Sequence, residues 1–121
     1  MKATTKLLRQ IHPAFVRQGT VTSQAFRPTP KDDHRLSCDD GDRIAPEAAW
    51  RRYTGQGLAS SGVQALTVAV CTSQGLLVEP DADPYPEHVS VDFTGLSNGQ
   101  IERISKRLRD HASVSGWLFA P

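Results

Sequence analysis

Apolar and polar positions along the chain change period several times, and each change marks a predicted element. "KLLRQIHP" (6–13) reads as a first strand, halted by Pro13, whose ring fixes its own φ and disfavours helix in the residue before it. "GTVTSQAFRP" (19–28) alternates and predicts a second strand. Val21, Ser23 and Ala25 fall on one side of it and Thr20, Thr22, Gln24 and Phe26 on the other. "RLSC" (35–38) predicts a short third strand. "VQALTVAVC" (63–71) is the most apolar run, and its β-branched content predicts a central strand buried on both faces. "GLLVEP" (75–80) and "EHVSVDF" (87–93) predict two more strands, and "WLF" (117–119) a last edge strand.

Two segments carry the helical period instead. "APEAAWRRY" (45–53) places Pro46 in a first turn, where its missing N–H costs nothing, and sets Trp50 and Tyr53 on one side. Towards the C-terminus, Ile101, Ile104, Leu108 and Ala112 form an apolar stripe. Ser97 and Gln100 have capping-box spacing ahead of it, and Gly116 stops it. The composite is a single α+β domain over 1–121: a mixed or antiparallel sheet of five to six strands with two helices packed on it.

Composition changes this picture little. The chain has 121 residues, 38% hydrophobic, with 14 Lys and Arg against 13 Asp and Glu. A near-neutral balance favours folding over disorder and disfavours a dedicated nucleic-acid binder. The charges are nevertheless segregated: no Lys or Arg occurs between residues 61 and 100, where Glu79, Asp81, Asp83, Glu87 and Asp92 lie. Such blocks can steer partners. No run approaches the length of a membrane span, and the start lacks the apolar run of a signal peptide. The expected location is therefore the cytoplasm, with Cys38 and Cys71 reduced and unpaired.

Candidate chemistry is sparse. His88, Ser90 and Asp92 share one strand face and have the residue types of a catalytic triad. Neighbours on one face stand about 6.6 Å apart, however, too far for successive hydrogen bonds. One of the three can still line a ligand cleft. The acidic stretches at 79–87 and 39–42 lack the spacing of a calcium loop, and no zinc or phosphate-loop pattern occurs. No metal and no cofactor is expected. The basic helix face formed by Arg103, Lys106, Arg107 and Arg109 reads as solvated.

What remains is the first third of the chain. Arg9 and His12 lie on or beside the first strand, and Ser23 and Arg27 belong to the second. Lys31, Asp32 and His34 fill the stretch "FRPTPKDDHRLSC" (26–38), which Pro28 and Pro30 stiffen, and Tyr53 ends the short helix. If the first strands pair, these residues converge on one cleft. The order of Arg or His on a first strand, a polar residue on a later one, a helix and then strands distantly resembles the small ADP-ribosyltransferase folds, over roughly residues 7–80. The resemblance implies Arg9 or His12 near an NAD-type nucleotide, Tyr53 stacking on a ring, and Glu79 in the place of a catalytic glutamate. The leading expectation is a small module that binds another protein through the proline-bearing loop at 28–34. The alternative is a small NAD-dependent transferase.

Overall fold

Adjacent residues of the first strand, Leu7 and Leu8, are both buried, at 0% and 2% exposure. A strand sends neighbouring side chains to opposite faces, so this pair requires cover on both sides of the sheet. The computed structural model describes all 121 residues, Met1–Pro121, and supplies that cover. Strands β1 (Lys6–Gln10), β4 (Arg35–Asp40), β5 (Val63–Thr67), β6 (Leu77–Pro80) and β7 (His88–Asp92) form one antiparallel sheet in the order β5-β1-β4-β7-β6. A separate two-stranded ribbon joins β2 (Val16–Arg17) to β3 (Thr20–Val21). The architecture is α+β.

Leu7 belongs to the larger core, with Leu36, Cys38, Leu66, Val89, Val91 and the stripe Ile101, Ile104, Leu108 and Ala112 of helix α3 (Asn98–Ser115). The Ser97 hydroxyl accepts the Gln100 N–H, the Gln100 side chain accepts the Ser97 N–H, and Gly116 at φ +67° ends the helix. Leu8 belongs to the smaller core on the opposite face, with Ala49 of helix α1 (Pro46–Thr54), Val63 and Ala65. Trp50 and Phe119 close that face with ring centroids 5.3 Å apart.

Three predicted elements differ. The apolar run 63–71 is not a central strand. Its first half is β5, at the sheet edge, and its second half is the short helix α2 (Val68–Ser73). The Thr67 hydroxyl accepts the Val70 N–H and starts that helix. The edge is apolar because it is covered: Val63 N–H donates to Phe119 O and Leu118 N–H to Val63 O. The expected strand at 117–119 amounts to this single bridge between Val63 and Phe119. The strand predicted over 19–28 shrinks to Thr20–Val21, followed by a 3-10 turn at Ser23–Phe26. The neighbours Ala25 and Phe26 are both fully buried in the same core, which a strand's alternation forbids and a tight turn allows. With α2 the α-helices number three rather than two.

Gly62 makes the edge cover possible. Its φ is +147°, and a Cβ there would meet Phe119 O at 2.5 Å and the Trp117 ring at 2.9 Å. Gly62→Ala is expected to cost about 1–3 kcal/mol in chemical denaturation and to release the C-terminal residues. A change below about 0.5 kcal/mol would show that the cover contributes nothing.

Both cysteines are free and buried, and burial pushes each thiol up to about 12. The thiolate is the reactive form. Alkylation of the native protein near pH 8 should therefore leave both unmodified, whereas the denatured, unreduced chain should take up two labels. Rapid native labelling at either position would contradict this packing.

No helix is long and apolar enough to cross a membrane.

Candidate functional site

The candidate site begins as a defect in the sheet. β1 pairs with β5 along its whole length, from Lys6 to Gln10. With β4 it pairs only at Leu7–Asp40 and Leu8–Asp39. Continued register would set Arg9 opposite Cys38 and Gln10 opposite Ser37, but the strands part first. The split opens into a cleft of about 670 Å³, within the range of small-molecule sites.

Arg9 spans the split. Its Nε–H donates to Ala25 O at 2.9 Å and its Nη1–H to Ser37 O at 2.9 Å. The guanidinium thus replaces the donor that β1 backbone fails to offer β4, and it pins the Ser23–Phe26 turn against the sheet. No carboxylate lies within 4.0 Å of it. Burial pushes its pKa down from the ordinary value, opposed by Cys38, Tyr53 and Asp32, yet a guanidinium stays charged in proteins. Arg27 also lines the cleft, and its side chain has neither an ion pair nor a hydrogen bond within the protein. Arg35, at the rim, lies 3.9 Å from Asp92.

The walls are largely apolar or aromatic. Leu8 and Leu36 come from the sheet, Tyr53 and Leu58 from α1 and the segment after it, and Phe15, Pro28 and Pro30 from the first third. Tyr85 and Pro84 of the loop between β6 and β7 also line the cleft. Tyr85 is held by two side chains from α1 and the residues just after it. The Arg52 guanidinium lies 3.7 Å from its ring centroid, and the Gln56 side-chain amide donates to its hydroxyl. Arg52 also bonds Glu87 at 2.9 Å and Asp39 at 3.1 Å, fastening the 81–87 loop to α1 and β4.

The two carboxylates on Arg52 respond to pH in opposite senses. The hydrogen bond from Arg52 leads in holding Glu87 below the ordinary carboxylate value. Its contribution to the fastened loop is complete above that value and is lost as pH falls through the depressed one. For Asp39, burial outweighs Arg52 and His88 and raises the pKa, so its ionised form costs stability that protonation restores. On acidification Asp39 should take its proton before Glu87, as read from the side-chain carboxyl carbon shifts by NMR. A common midpoint at the ordinary value would contradict the arrangement.

The expected site residues divide. Arg9, His12, Arg27, Asp32 and Tyr53 line the one cleft. His12 sits at its mouth, where Nδ1 accepts the Ala14 N–H at 3.0 Å. Asp32 accepts the Thr29 hydroxyl at 2.8 Å. Ser23 begins the 3-10 turn, outside the lining, and Lys31 is exposed. His34 has φ +59° and lends its carbonyl to Phe93 N–H, again outside the lining. Glu79 is exposed on β6, opposite Ser90 and two strands from β4. Pro28, Thr29, Pro30 and Asp32 face the cleft, so the proline-bearing stretch is its rim.

Sequence reasoning missed Gln10, Ser37, Asp39, Gln56 and Tyr85, all of which line the cleft. Alternation in β4 carries part of the signal, since Arg35, Ser37 and Asp39 share a face. His88, opposite Asp39, is the member of the 88–92 trio that reaches the cleft. Tyr85 lies in a proline-rich loop with no period to place it. No three His, Cys, Asp or Glu side chains converge in metal-binding fashion.

No protein-family model, no curated protein and no solved structure matches this chain.

Proposed function

We propose that this protein binds a small anionic organic molecule in the cleft between β1 and β4. The observation that carries the reading is the pair Arg9 and Arg27, two guanidinium groups in one cleft with no carboxylate within 4.0 Å of either. A half-enclosed cation with no carboxylate in contact has lost hydration and gains most from an anion that returns hydrogen bonds. Arg9 suits this best, because two backbone carbonyls fix its fork before any ligand arrives. Apolar walls beside this charge favour an organic anion over an inorganic ion.

Pro28, Thr29, Pro30 and Asp32 rim the cleft, which favours this role over a protein-docking loop; within the stretch only Lys31 stands outside the lining. For a nucleotide transferase, the carboxylate proposed as catalytic, Glu79, stands outside the cleft, and Asp39 within it is committed to Arg52. Binding is therefore the function assigned, without a catalytic step.

Calorimetric titration with AMP and phenylacetate, each beside its neutral counterpart adenosine or phenylacetamide, tests the proposal. At least one anion should bind with a millimolar or lower Kd, and about tenfold or more tightly than its neutral form. No heat with either anion, or equal affinity for charged and neutral forms, would refute it.

A further inference from the structure

We infer that the cleft selects anions that carry a flat aromatic ring, and that Tyr85 is the platform on which the ring stacks. The inference rests on the anion-binding reading and adds the shape of the ligand to its charge. Tyr85 lines the cleft, whereas Arg52, over its ring at 3.7 Å from the centroid, does not. One face of the tyrosine ring is thus covered by a cation that lies outside the cleft lining, while the residue itself lines the cleft.

The platform is rigid before a ligand arrives. Gln56 donates to the Tyr85 hydroxyl, and Arg52 is held by Glu87 at 2.9 Å and Asp39 at 3.1 Å. Little side-chain freedom remains to be lost on binding, so the stacking energy appears as affinity. A cation on one face of the ring draws electron density toward itself, so the opposite face favours an electron-rich ligand ring. Arg9 reaches the same cleft from the floor of the split. A molecule with its ring on Tyr85 and its anionic group toward Arg9 uses both features at once. Nucleoside monophosphates and aromatic carboxylates share this chemistry.

Matched pairs test the ring separately from the charge. AMP is compared with ribose 5-phosphate, and phenylacetate with cyclohexylacetate, on the unaltered protein and on Tyr85→Phe and Tyr85→Leu. The aromatic member of a pair should bind about three- to tenfold more tightly. Tyr85→Leu should erase that advantage and Tyr85→Phe should keep most of it. The tighter aromatic series identifies which of the two sources the site takes. Equal affinities within both pairs, or an advantage that survives Tyr85→Leu in a protein of unchanged circular dichroism, would overturn the inference and leave the anion site standing. Failure of all four anions to bind would remove both.

Discussion

Phe26→Ala should lower the free energy of unfolding by about 3–5 kcal/mol in a denaturant titration. Phe26 is fully buried in the larger core, on a turn that packs directly on α3. Truncation would leave a cavity between two elements, each held elsewhere by its own hydrogen bonds, so the site can collapse only partly. The effect should extend to the cleft. Ala25, the preceding residue, gives its carbonyl to Arg9, and Arg27, the following one, supplies the second guanidinium of the cleft. Weaker anion binding should therefore accompany the lost stability. A loss below about 1 kcal/mol would mean that the turn is not seated in the core as described.

Arg9→Ala should reduce affinity for the anion that binds best by about ten- to a hundredfold, since hydrogen bonds to charged groups contribute roughly 1.5–3 kcal/mol. The same change leaves Ser37 O and Ala25 O without their donor, at a cost of about 1–3 kcal/mol for each carbonyl that stays dry. Arg9→Lys separates the two effects. It keeps the charge but loses the planar fork, so it should bind the anion with intermediate affinity and hold at most one of the carbonyls. Calorimetry measures the affinity and denaturation the stability. An Arg9→Ala protein that binds within twofold of the original would remove Arg9 from the site.

Those parts of the fold with a single dominant period were legible in the chain. The α3 stripe, its Ser97–Gln100 cap and its Gly116 stop emerged intact, because cap, stripe and terminator agree with one another. The run 63–71 misled because an apolar, β-branched segment of nine residues suits a buried strand and a strand followed by a helix equally well. What decided between them was Thr67 capping α2 and a remote residue, Phe119, covering the edge of β5. Neither contact leaves a periodic trace.

The cleft was half legible for a related reason. Arg9, His12, Arg27, Asp32 and Tyr53 attract notice as polar or aromatic residues in a turn-rich third of the chain, and they do meet. Their convergence depends on the early parting of β1 from β4, which the local sequence does not announce. Tyr85 enters from the loop between β6 and β7, which Arg52 and Glu87 fasten through a contact between residues 35 positions apart.

The most direct test is an NMR titration of the nitrogen-15-labelled protein with AMP and with phenylacetate. The account predicts saturable shifts in the Arg9 side-chain Nε–H and in the backbone amides of Gln10, Arg27, Ser37 and Tyr53, with the exposed α3 residues Arg103 and Arg107 unmoved. Shifts centred on Arg103 and Arg107, or none at millimolar concentrations of either compound, would contradict it.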